Sequence, residues 1–236
     1  LEKLIICLWR PKAVDGDDFR DQLLELANSQ WLSSVAVRGL RLTVVDSNVA
    51  TAEGRRIATA DAPPDAVLSV WVDAVAEHAM LLQSLVPLSA AQSCYLVTES
   101  DQLADAARPA PIAGRTPGFC QVVLMQRPDH LSVVQWLDLW QGQHTAVAIE
   151  TQATFAYRQN VIVRPLSKNA AAVSALVEEN FPEAAMTSDY AFYGVEDDAG
   201  LGAKMNTLLA SCSRFIDFDR IEVIPMSEYL LKSVTH

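Results

Sequence analysis

The sequence has no C-x-x-C pair, no G-x-G-x-x-G, no P-loop and no G-x-S-x-G, and its four histidines stand at no metal-ligand spacing. These absences remove the usual zinc, dinucleotide, nucleotide-phosphate and serine-hydrolase signatures, so no metal or cofactor is expected. GLG at Gly200–Gly202 stops short of a dinucleotide fingerprint and sits in a helical stretch. Cys7, Cys94, Cys120 and Cys212 lie in apolar segments and are expected as free thiols in a reducing compartment. Positive charge is scarce: 18 Lys and Arg stand against 29 Asp and Glu, a net charge of −11. No basic stripe could offset that repulsion, so nucleic acid is not an expected partner. Long apolar runs are missing too. LIICLW at Leu4–Trp9 is strand-length, far below the roughly 20 residues of a membrane-crossing helix. No charged n-region with an apolar h-region opens the sequence, so no membrane partner and a cytoplasmic location are expected.

Half of the 236 residues are hydrophobic, enough for a sizeable core. The chain also repeats itself. LIICLWRP (Leu4–Pro11) has a counterpart in QVVLMQRP (Gln121–Pro128), each a short β-type run closed by Arg-Pro. AVRGLRLTVV (Ala36–Val45) aligns with ATFAYRQNVIV (Ala153–Val163), which places Arg41 on Arg158. CYLVTES (Cys94–Ser100) matches IEVIPMSE (Ile221–Glu228) in position. Helical spacing follows the first strand of each copy: Phe19, Leu23, Leu26 and Ala27 in one, and Val133, Leu137, Trp140 and His144 after a Ser132 cap in the other.

The pattern reads as β-α-β-β-α-β written twice, two tandem ferredoxin-like repeats of the α+β class. The expected boundaries are 1–100 for the first repeat, 101–117 for a Pro/Ala/Gly-rich linker and 118–236 for the second repeat. In the second copy, Asn169–Asn180 reads as an extra helix and Tyr190–Tyr193 as a short third strand. A four-stranded sheet covered by helices on one face must bury its other face. Two copies can do so against each other, as antiparallel sheets packed into an intrachain α+β barrel with a small-molecule cleft between them.

WLDLWQGQHTAVAIETQATFAYRQNVIVRPL (Trp136–Leu166), with its W-x-x-x-H spacing, resembles the signature region of the EthD-domain family in the dimeric α+β barrel superfamily. RFIDFDRIEVIPMSEY (Arg214–Tyr229) is similar to that family's closing segment, while the first half is reached only through the internal repeat. The resemblance implies a barrel that two subunits usually build together and that this chain would build alone, as a monomer or a homodimer of barrels. It also implies a cleft whose reaction differs among polyketide cyclases, decarboxylase-like and monooxygenase-like members, with haem-binding relatives further away.

His144 is the leading candidate for chemistry. The stripe Val133, Leu137, Trp140, His144 puts it near a helix C-terminus, where the dipole favours imidazolium and burial favours the neutral ring. The same alignment sets Gln30 opposite it, so the site is expected in the second copy only. Glu150 is a candidate to orient the imidazole, and equally reads as plain loop polarity. The residue before and the residues within the next strand alternate, with Phe155, Tyr157 and Gln159 on one face and Arg158 and Asn160 on the other. The aromatic face is expected to line the interior, which makes Phe155, Tyr157 and Gln159, with Trp140, substrate-binding residues. Trp136 reads as core.

The function expected is an EthD-like protein acting on a small apolar carbonyl or aromatic compound. It would serve as a cofactor-independent cyclase, isomerase or decarboxylase through His144. Two alternatives remain open: a non-catalytic ligand-binding or stress-related protein, and an oxygenase-like or haem-dependent oxidoreductase.

Overall fold

The first copy forms β1 (Glu2–Trp9), α1 (Gly16–Leu26), β2 (Val37–Val44), β3 (Ala66–Val72), α2 (His78–Leu85) and β4 (Ala91–Ala104) in a computed structural model that describes residues 1–60, 62–104 and 114–234. The second forms β5 (Phe119–Met125), α3 (Val133–Leu137), α4 (Thr145–Thr151), β6 (Ala156–Pro165), β7 (Ala175–Phe181), α5 (Asp189–Tyr193), α6 (Asp198–Cys212) and β8 (Ile221–Lys232). The eight strands close into one antiparallel barrel in the order β1-β3-β2-β8-β5-β7-β6-β4. The two copies join at β2–β8 and β4–β6, so neither sheet keeps a free edge. Of the expected linker, 101–104 continue β4, and 105–113 lie outside the described residues.

Strand register reproduces the repeat. Leu4, Val70 and Leu40 form a cross-strand row in the first copy, and Gln121, Glu179 and Tyr157 form the same row in the second. Helix starts follow the local chemistry: Ser132 and Gln135 form a reciprocal capping box, and Asp197 caps α6. Among the described residues no helix is long and apolar enough to cross a membrane.

Two expectations about the second copy need correction. Ala175–Phe181 is a strand, where a helix over Asn169–Asn180 was expected, and Asp189–Tyr193 is a helix, where a strand was expected. Every side chain of β7 is buried, because one face meets the barrel lumen and the other the helix layer. That double burial removes polar alternation, and pairing with β5 and β6 overrides the helix propensity of an Ala-rich run.

The lumen has two tiers. One is apolar, with Ile5, Cys7, Val122, Leu176, Ile224 and Met226 packed together. The other is ionic. Lys3 reaches Glu99 at 2.8 Å and Glu178 at 3.3 Å, Arg41 lies 3.7 Å from Glu178, and Arg158 pairs with Glu228. Strands β1 and β7 are not neighbours, so only the barrel interior can bring Lys3 to Glu178. Arg158 and Asn160 therefore face inward, while Tyr157 and Gln159 face the helices. This reverses the expected facing of β6. A strand arginine inside the barrel is tolerated because carboxylates meet it. Burial works against the Glu178 carboxylate, but Lys3, Arg158 and Arg41 outweigh it and hold its pKa well below the ordinary carboxylate range.

Candidate functional site

The helices of the two copies cover their sheets differently. In the first copy the outer sheet face is aliphatic, and Phe19, Leu23, Trp31 and Leu81 pack onto it. In the second copy α6 buries none of its side chains fully and runs beside α4. Beneath it, on the outer face of β5, β7 and β8, lies a cavity of about 470 Å³. The expected cleft between the sheets is thus filled by the two-tier lumen, and the cavity lies outside the barrel wall.

His144, Trp140 and Tyr157 all line this cavity. The helix does not end at His144. A π-turn over Asp138–His144 joins α3 to α4, so no helix-end dipole favours imidazolium. Its ring packs 4.7 Å from that of Phe215, and Nδ1 lies 2.9 Å from the Ser211 hydroxyl on α6. Nε2 makes no hydrogen bond among the described residues. Burial lowers its pKa to about 4, so the imidazole is neutral at physiological pH. The first copy has a matching π-turn over Ala27–Trp31. There Gln30 is exposed and Trp31 is buried in the first copy's core.

The other expected residues divide. The Tyr157 hydroxyl accepts from Trp140 Nε1 at 3.4 Å and Gln159 Nε2 at 3.0 Å, which leaves its own O–H to donate. Gln159 is fully buried behind it, also bonded to Thr145, and does not line the cavity. Phe155 is half-buried ahead of β6 and likewise is not among the lining residues. Glu150 is exposed on α4, and Ser211 holds the imidazole where Glu150 was expected to. The separation arises because α4 turns Glu150 to solvent. Trp136 is core, its indole N–H donating to the Phe215 carbonyl.

Glu179 was missed by the reading of the sequence. It sits between Gln121 and Tyr157 on the cavity floor, 6% exposed, and accepts one hydrogen bond from Gln121 Nε2 at 3.3 Å. Burial pushes its pKa up to about 7, against the partial relief from Gln121. The signal was present in the repeat alignment, which already set Gln121 against Leu4. Correct placement of β7 would have added Glu179 against Val70. A polar row where the sister copy carries leucine and valine is costly for folding and singles out the second copy's outer face as the candidate. No group of three or more His, Cys, Asp or Glu among the described residues is arranged to hold a metal ion.

No family model and no curated protein sequence matches this chain. Solved structures do. An anthrone oxidase-like protein superposes with a TM-score of 0.50 at 10% identity, over 98% of this chain and 91% of its own. A provisionally named monooxygenase from Fusobacterium nucleatum superposes with a TM-score of 0.51 at 7% identity, over 98% and 92%. At such identities the likeness concerns the fold: the chain has the architecture of the dimeric α+β barrel proteins, with both halves in one polypeptide.

Proposed function

We propose that this chain is an EthD-like enzyme that moves a proton on a small, largely apolar carbonyl or aromatic compound without a bound cofactor. The observation that carries the reading is the Glu179 carboxyl, poised near neutrality on the floor of an apolar cavity and next to a phenol with a free O–H. A base of that pKa is half ionised at physiological pH, where general-base catalysis is most effective. The Glu179 carboxylate takes a proton from a carbon beside the carbonyl. The C–H electron pair shifts to form an enolate, and Tyr157 donates a hydrogen bond to the resulting oxyanion. Return of the proton from Glu179 to a different carbon completes an isomerisation; in a cyclisation the enolate carbon attacks a second carbonyl, and the alkoxide formed takes the proton from Glu179.

His144 takes a different part from the one expected. A ring with a pKa near 4 does not protonate a substrate at neutral pH, so it serves as a neutral hydrogen-bonding wall fixed by Ser211. The test is proton exchange on methyl 6-acetyl-2-naphthoate in D2O, read by loss of the acetyl signal in the NMR spectrum. The wild type should accelerate exchange over buffer by about 10²–10⁴-fold, and Glu179→Gln should return it to the buffer rate. A wild-type rate equal to buffer, or one unchanged in Glu179→Gln, overturns the assignment. The haem-dependent alternative rests on the free Nε2 of His144, and it is separated by titrating hemin into wild type and His144→Ala and comparing the Soret bands.

A further inference from the structure

The first copy also reaches the cavity. The 3-10 segment Ser47–Arg55 follows β2, and from its end Gly54, Arg55 and Ile57 supply part of the cavity wall. Ile57 is locked to β8 by a bridge to Val223, which fixes this segment along the barrel wall. Arg55 is held from three sides. Its Nε donates to the Ala185 carbonyl at 3.0 Å, its Nη1 reaches Asp189 at 2.5 Å, and its guanidinium lies 4.7 Å from the centre of the Phe192 ring. Nη2 makes no hydrogen bond among the described residues. Beside it stands Tyr193, which lines the same cavity and whose hydroxyl likewise makes no hydrogen bond there.

The two polar parts of the cavity are electrostatically separate. Burial and Gln121 set the state of Glu179, and Arg55 has no part in it. Arg55 is felt instead at Tyr193, where burial and Asp189 raise the phenol pKa and Arg55 opposes them. Between the two poles the walls are apolar, with Val123, Val177, Val223 and Met205 among them.

We infer that Arg55 and Tyr193 form an anion-recognition pole, so that the substrate is an apolar, ring-sized molecule bearing a carboxylate remote from its reacting carbonyl. This rests on the cavity reading above and assigns the first copy a role in specificity. A guanidinium already fixed by Asp189, Ala185 and Phe192 loses little freedom on meeting a carboxylate, and its uncommitted Nη2 with the Tyr193 hydroxyl offers two donors.

The test compares 6-acetyl-2-naphthoate with its methyl ester, by quenching of tryptophan fluorescence for affinity and by acetyl exchange in D2O for turnover. Wild type should bind the acid about tenfold or more tightly than the ester. Arg55→Met should abolish that preference while still binding the ester, Arg55→Lys should keep part of it, and Tyr193→Phe should reduce it without touching the Asp189 contact. Equal affinity for acid and ester in the wild type overturns the inference, as does a preference that survives Arg55→Met. Failure of both compounds to bind overturns it together with the cavity reading. Acid preference without acetyl exchange sinks the proton-transfer reading alone, and exchange without acid preference sinks the Arg55 assignment alone.

Discussion

Glu179→Gln should stabilise the protein above neutrality while abolishing proton transfer, and the size of the gain follows from the structure. The carboxyl has an ordinary pKa of 4.5 when unfolded and about 7 when folded, because burial disfavours its charged form. Below the unfolded value both states carry the proton and the residue costs little. Between pH 4.5 and 7 the unfolded chain ionises first, so stability falls as pH rises, and above 7 the full cost is present. A difference of that size corresponds to about 3 kcal/mol at 1.36 kcal/mol per pH unit. Glutamine keeps the shape and can still accept from Gln121 through its amide oxygen, so it removes the ionisation cost with little else changed. Urea denaturation of wild type and variant at pH 5 and pH 8 measures the effect. The variant's advantage should grow by about 2–3 kcal/mol between the two. A difference that does not vary with pH, or a variant less stable at pH 8, would refute the claim that an unpaired buried carboxyl is kept here at a cost to folding.

The neighbouring residue should behave in the opposite way. Glu178→Gln removes the carboxylate that Lys3, Arg41 and Arg158 share, and should cost about 3–5 kcal/mol at pH 7. Because the Glu178 pKa is held low, its contribution is present above pH 4.5 and fades on acidification, and a wild-type-like urea midpoint for the variant at pH 7 would disprove the lumen network. His144 should stay neutral through pH 6 and titrate near 4 in ¹⁵N-detected NMR, because burial opposes its charge. Its folded pKa lies below the unfolded value, so it withdraws stability as pH falls from about 6.5 toward 4. A midpoint at or above 6.5 would show that the ring is solvated or partnered by an acid.

Much of the fold was legible because repeat and burial spoke together. The pairing of Leu4 with Gln121 and of Arg41 with Arg158 predicts registers that the strands keep, and Ser132 caps a helix where its chemistry says it should. The failures have one physical source. β7 throughout and β6 over Ala156–Asn160 are buried on both faces, so hydrophobic alternation, the usual guide to which side faces in, is absent there. Without it ALVEENF reads as helix, and the ionic contents of the lumen cannot be told from surface charge. His144, Trp140 and Tyr157, which line one cavity, were singled out because aromatic and imidazole groups stand out in a sequence. Glu179 was hidden by its neighbour: two adjacent glutamates look like one acidic patch until the strand sends them to opposite sides of the wall.

That split explains how one chain can hold both halves of the barrel and still carry one site. The lumen requires both copies, since Arg41 and Lys3 from the first meet Glu178 and Glu228 from the second. Its chemistry is therefore constrained on both sides. The floors of the outer faces, built from each copy's own strands, are under less joint constraint, although at the cavity rim Gly54, Arg55 and Ile57 of the first copy meet the second. The first closes its face with Leu4, Leu40, Val70 and Trp31, all of which contribute burial and nothing reactive. The second gives up that packing at Gln121, Tyr157 and Glu179 and leaves α6 standing off the sheet. Replacing the three residues together by leucine, leucine and valine would recreate the aliphatic floor of the first copy. It would leave the lumen pairs of Lys3, Arg41 and Arg158 in place, since those side chains lie on the other side of the wall.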